Sequence, residues 1–177
     1  RTGYVARLMQ HIAEPLVDIC RSDAARYGVC EGQLARIASP RGVMVARIHI
    51  NDAQKAGELF LPMHWNTQFS RQGKVNALVQ GRVDLVSGQP ESKQTAVRIL
   101  PWQPGWQGEL YARDLPELPS FVFWWRKATR LTLAGDKPFL PWVMDYASGR
   151  GWQLQVAQTG ERSSVLAWHN GELMLAF

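Results

Sequence analysis

The chain has 177 residues, 46 % of them hydrophobic, and a formal net charge of +5. That length suits one domain or one domain with a small appendage, and the apolar content excludes wholesale disorder. The basic residues are dispersed and no apolar run reaches membrane-spanning length, which argues against a nucleic-acid arm and a membrane span, while a phosphate-bearing small ligand remains compatible.

The chain begins at Arg1 without a signal-like apolar stretch and reads as a piece of a longer protein. Residues 15–28, PLVDICRSDAARYG, predict a short apolar strand and then a helix. Ser22 or Asp23 is the expected N-cap and Gly28 the expected stop. Two alternating runs, 34–38 and 43–50, flank Ser39-Pro40-Arg41-Gly42, a hairpin signal. AGELFLPMHW predicts a further strand over 57–61 that ends at Pro62 and points bulky groups into whatever lies at its mouth. GKVNALV, 73–79, fits either a short helix or an extended loop. The stretch SGQPESKQTAVRI, 87–99, starts with almost nothing to bury and ends in alternation, so it predicts a polar loop feeding a strand over 95–100.

Composition shifts near residue 101, where PWQPGWQGELYARDLPELPSF is rich in Pro and Trp and predicts a linker over 102–120. Residues 121–177 predict a small α+β appendage. Strand-like runs fill 121–134, KPFLPWVMDYASGRG predicts a helix entered through Pro141 and stopped at Gly149 or Gly151, and three strands follow. Thr159-Gly160 and Asn170-Gly171 mark the last two turns. The eight Trp are irregularly spaced and read as packing rather than a stacking platform.

Little in the chain suggests self-sufficient chemistry. Cys20 and Cys30 fit neither a redox pair nor zinc spacing, and read as buried free thiols of a reducing compartment. No His pairs with another ligand at metal-binding spacing, and His64 alone reads more readily as structural than catalytic. There is no nucleophile elbow, no P-loop and no dinucleotide fingerprint. An enzyme containing this chain would therefore rely on a cofactor. The alternative of another class is a basic β-barrel module for nucleic acid or protein, with residues 121–177 as a contact surface.

The ordered set HIAEPLVDICRSDAARYGV, ARIASPRGVMVARI, GELFLPMHW, VNALV and DLVSGQPESKQTAVRI resembles the C-terminal domain of molybdopterin oxidoreductases. It is most similar to that of assimilatory nitrate reductase catalytic subunits. The likeness covers residues 1–101. It implies a mainly β fold with short helices, a double-psi β-barrel whose N-terminal strand is missing here. It implies a bis(molybdopterin guanine dinucleotide) molybdenum cofactor, and an iron–sulfur cluster in the parent protein but outside this chain. It further implies that Asn76 and Lys93 contact the cofactor, with Ser87 and Gln89 offering further polar atoms of the same loop. Met63 and His64 would lie at the substrate funnel, and no residue here would ligate a metal. The implied partners are the remaining domains of the polypeptide and an electron donor (ferredoxin, flavodoxin or an NADH-linked reductase), in the cytoplasm. Formate dehydrogenase and periplasmic nitrate reductase share the same resemblance and stand as alternatives.

Overall fold

The computed structural model describes residues 14–112, 116–127, 130–159, 162–169 and 172–176. The chain divides into two compact units, Arg1–Gln103 and Pro104–Phe177, and the described strands form a four-stranded and a six-stranded sheet.

In the first unit, strands β1 (Leu16–Ile19), β2 (Leu34–Ser39), β3 (Gly42–Ile50) and β4 (Arg98–Pro101) form a sheet in the order β1-β3-β2-β4. β1 runs parallel to β3, and the other pairs are antiparallel. Parallel neighbours cannot be joined by a tight turn. Helix α1 (Arg21–Tyr27) and β2 therefore carry the chain from β1 round to β3. Alternation sets the buried face: Val17, Ile19, Ile37, Met44, Ala46 and Ile48 pack with Ala24, Leu78 and Ile99 into one core.

The hairpin forms as predicted, with Ser39 opposite Gly42 and Pro40-Arg41 as the two turn residues. α1 stops as predicted at Gly28, whose φ of 66° is the left-handed conformation that Gly adopts without a Cβ penalty. Its start differs. Cys20 is the N-cap, without a side-chain capping bond, and Ser22 and Asp23 lie inside the first turn. The Asp23 carboxylate, only 6 % exposed, instead accepts the Gly57 N–H and so ties the loop after β3 to the helix.

The strand expected over 57–61 shrinks to one bridge, in which Phe60 exchanges both backbone hydrogen bonds with Asp18. Gly57 at φ 83° before it, and Pro62 without an N–H after it, confine the pairing. Residues 75–77 resolve the open choice as a 3₁₀ turn, Val75–Ala77. β4 begins at Arg98, later than expected, because Ala96 and the residues before it lie outside the ladder.

In the second unit, β5 (Trp106–Ala112), β6 (Phe123–Lys127), β7 (Arg130–Gly135), helix α2 (Leu140–Ser148), β8 (Gln153–Thr159), β9 (Arg162–His169) and β10 (Glu172–Ala176) follow in order. The sheet order is β6-β7-β5-β10-β9-β8, antiparallel throughout. The linker expected over 102–120 is therefore corrected: residues 106–112 are a central strand, and Trp102 is buried in the first unit with its N–H on the Leu34 carbonyl. Pro104 precedes β5, and Pro116 and Pro119 follow it, so none interrupts the ladder.

α2 carries Pro141 in its first turn, as predicted, and packs Val143 and Ala147 onto Leu110, Leu131, Val165 and Ala167. Gly149 ends it in a right-handed conformation, and Gly151 at φ 67° makes the left-handed turn. The Trp residues pack: Trp124 and Trp125 are buried, and Trp106, Phe139 and Trp142 stack at centroid distances of 5.1 and 5.2 Å. Gly160 and the Asn170-Gly171 pair, where the last two turns were expected, lie outside the described residues.

Leu131 is fully buried at the centre of the second core. Leu131→Ala should destabilise that unit by about 2–5 kcal/mol, measured as a fall in its denaturant midpoint, through lost transfer energy and the cavity left behind.

Candidate functional site

The polar groups of interest hang on two segments of the first unit, 62–78 and 80–94. The first is anchored at three places. The Gln72 carbonyl accepts the Val45 N–H at 2.8 Å. Buried Ser70 receives the Gly73 N–H on its hydroxyl. Leu78, 1 % exposed, enters the core, and its carbonyl accepts the Ser39 hydroxyl at 2.8 Å. The turn between β2 and β3 presses against this segment so closely that a Cβ on Gly42 would stand 2.7 Å from the Ala77 carbonyl oxygen. These contacts hold the Val75–Ala77 turn in place and leave Asn76 exposed on it.

The second segment folds on itself. The Asp84 carboxylate accepts the N–H groups of Val86 and Ser87, at 3.0 and 2.7 Å, and the Ser87 hydroxyl at 2.8 Å. The Asp84 N–H and carbonyl pair with Gln89 and Gly88, and Glu91 donates to the Arg82 carbonyl. Gly88 at φ 68° allows the reversal. These bonds, the Ser87 N–H foremost, hold the Asp84 carboxyl below the usual carboxylate range, because they favour the ionised form. The loop is exposed from Gly81 to Gln94, and Leu85 and Val86 at its tip are 97 % and 98 % exposed.

The two segments converge on one end of the sheet. β4 starts at Arg98 opposite Ala38, and the neighbouring Ser39 holds the segment that carries Asn76. The loop bearing Ser87, Gln89 and Lys93 therefore enters β4 at the end of β2 where Asn76 is displayed. Lys93 and Gln89 are exposed, as is Met63, while His64 is half-buried. Asp84 brings Ser87 and Gln89 together, and the Ser87 hydroxyl is already engaged within the turn, donating to Asp84 and accepting the Gln89 N–H. No hydrogen bond among the described residues joins the side chains of Met63, His64, Asn76 or Lys93 to another member of the set.

Charge is distributed unequally. Residues 1–103 hold thirteen Lys and Arg against eight Asp and Glu, whereas residues 104–177 hold seven of each. The whole net charge thus belongs to the first unit. The sequence from 71 to 98 carries Arg71, Lys74, Arg82, Lys93 and Arg98 against Asp84 and Glu91. Partial burial pulls the Arg71 guanidinium below its ordinary value, which still leaves it charged at neutral pH. Exposed cations beside amides and hydroxyls suit an anionic, planar, hydrogen-bonding ligand. Among the described residues no cluster of His, Cys, Asp and Glu could hold a metal ion.

Three contributors escaped the sequence reading. Asp84 shapes the loop, and an Asp three residues before a Ser in a turn is the signal that could have found it. Ser39 and Gly42 position Asn76 from a distance in sequence, and no local pattern marks that role.

The Molydopterin dinucleotide binding domain family model matches residues 1–96, and the chain belongs to that family. A nitrate reductase of Klebsiella oxytoca is 52 % identical over 181 aligned residues, covering 100 % of this chain and 21 % of that protein. The assimilatory nitrate reductase catalytic subunit of Bacillus subtilis is 31 % identical over 57 % of this chain and 14 % of its own length. A putative formate dehydrogenase of the same species, YrhE, is 34 % identical over 47 % of this chain and 8 % of its own length. The chain thus spans about a fifth or less of these relatives.

Because the ionised Asp84 is the form that the loop bonds, its ordering persists above the ordinary carboxylate range and is lost as pH falls through the lowered folded value. The Val86 and Ser87 amide resonances should therefore move toward unstructured positions only in strong acid. Asp84→Ala should place them there already at neutral pH.

Proposed function

We propose that this chain is the cofactor-binding end of a molybdenum-dependent nitrate reductase, gripping part of a bis(molybdopterin guanine dinucleotide) while the remaining domains of the same polypeptide supply the rest. The observation that carries this reading is the convergence of Asn76 and the Lys93 loop on one end of the sheet, within the unit that holds the entire net positive charge. The donor set fits such a group. A pterin or guanine ring edge needs amides, and a pyrophosphate needs a cation and hydrogen-bond donors.

Asn76 offers a donor and an acceptor in one plane on a turn that the core holds still. Lys93 offers a compact positive charge, and Gln89 a second amide. Ser87 acts mainly through the shape of the loop, since its hydroxyl is engaged with Asp84. Met63 and His64, just past Pro62, border the approach of the substrate. When bound, the molybdenum supplies the two-electron oxygen-atom transfer that takes nitrate to nitrite. The residues of this chain orient and electrostatically tune that group rather than donate or accept protons themselves.

The mixed sheet, with its β1–β3 parallel pair beside a hairpin, is part of a double-psi β-barrel in this reading. Electrons arrive through an iron–sulfur cluster elsewhere in the polypeptide, from ferredoxin, flavodoxin or an NADH-linked reductase. The enzyme serves nitrate assimilation in the cytoplasm. Among the described residues no helix is long and apolar enough to cross a membrane. Formate oxidation is the second reading, because a putative formate dehydrogenase is 34 % identical over 47 % of this chain. The nitrate reading is favoured because the Klebsiella oxytoca nitrate reductase matches 100 % of it at 52 % identity.

The full-length polypeptide should contain molybdenum and guanine nucleotide and reduce nitrate with reduced viologen. Asn76→Ala and Lys93→Ala should each lower the bound guanine nucleotide per polypeptide and lower nitrate reduction in step. A full-length protein free of molybdenum overturns the reading, and formate oxidation without nitrate reduction moves it to the second.

A further inference from the structure

The six-stranded sheet ends on one side at β8, which pairs with β9 and with no other strand among the described residues. An edge strand presents a row of unpaired N–H and C=O groups, and proteins usually blunt such an edge with charge, proline or brevity. The opposite edge follows that rule, since β6 is five residues long and ends in Arg126 and Lys127. β8 does not. Its seven residues, QLQVAQT, hold no charged side chain and no proline, and Gln155, Val156, Ala157 and Gln158 are all exposed.

The core of the second unit also runs out to this edge. Opposite residues of an antiparallel pair share a face of the sheet. Val156 lies opposite Val165, which is fully buried in that core, and Leu154 on the same face packs against it. Val156 therefore stands on the core side of the sheet, yet it is 51 % exposed. The buried layer stops here for want of a neighbour, not for want of an apolar side chain.

We propose that the neighbour is β8 of a second copy of this chain, paired antiparallel across a two-fold axis at Val156. Such a pairing is isologous and closes at two copies. About that axis Val156 meets its own counterpart, Gln155 meets Ala157, and Leu154 meets Gln158. Everything the strand exposes is self-complementary: backbone groups, an apolar side chain, and Gln amides that each donate and accept. A charged partner strand would find nothing on β8 to answer its charge. The second unit is itself neutral, with seven Lys and Arg against seven Asp and Glu, so its net charge does not oppose pairing with a copy of itself. One seven-residue pairing is a small interface, and the dimer belongs to the weak, concentration-dependent class.

The test is the mass of the full-length polypeptide in solution, by sedimentation equilibrium between about 1 and 100 µM, where weak pairs dissociate. Wild type should pass from monomer to dimer as concentration rises. Val156→Lys and Val156→Glu each set two like charges against each other at the axis. Each should raise the dimer dissociation constant at least about a hundredfold. Mixed in equal amounts, the two variants should recover the dimer, because Lys then meets Glu, and misfolded chains could not give that recovery. Leu85→Ser combined with Val86→Ser, at the exposed loop tip of the first unit, should leave dimerisation unchanged. A wild type that stays monomeric over the whole range overturns the proposal, since the edge is then solvated or covered by the rest of the polypeptide. So does a dimer that survives the single substitutions at Val156, a mixture that stays monomeric, or a dimer that the Leu85 and Val86 substitutions abolish.

Discussion

The contact between the β2–β3 turn and the Val75–Ala77 turn governs where the first unit displays its polar groups. Gly42 lets the two backbones approach, and the Ser39 hydroxyl closes the gap with a hydrogen bond to the Leu78 carbonyl. Leu78 then enters the core beside Ile37, Met44 and Ile99. An exposed Asn on a free loop would sample many orientations. Here Asn76 inherits the rigidity of a packed core two residues away, which is what holding a planar ligand requires. The hairpin thereby decides where the first unit displays Asn76.

The two units divide the work of the chain in different currencies. The first concentrates charge and exposed polar atoms. The second is neutral, and its α2 and six-stranded sheet enclose a core lined by stacked aromatics. The second unit satisfies the ordinary rules of a β-sheet packed under a helix.

Much of this architecture was legible where the signals were local. Ser39-Pro40-Arg41-Gly42 between alternating apolars gave the hairpin, Gly28 gave the helix stop, and Pro141 gave the start of α2. Tertiary pairing decided the rest. GELFL has the alternation of a strand, yet only Phe60 finds a partner, because a strand needs a neighbour as well as a pattern. The segment around Trp106 looked like a linker because Pro and Gly surround it. Its strand is recruited by β7 and β10, which arrive later in the chain. Asp23 looked like a helix cap and instead holds Gly57, thirty-four residues away. Asn76 and Lys93 are candidates from the sequence, and the structure leaves both exposed. The supports of Asn76 were not legible, because Ser39 and Gly42 act through contacts that no short window contains.

The tip of the 80–94 loop has a consequence for anyone handling this piece of protein alone. Asp84 fixes the turn, so Leu85 and Val86 cannot fold back to shelter and stand almost wholly in water. Adjacent apolar side chains on a preorganised turn are adhesive at high concentration. A polar pair in place of Leu85 and Val86 should make the isolated chain less prone to associate at high concentration.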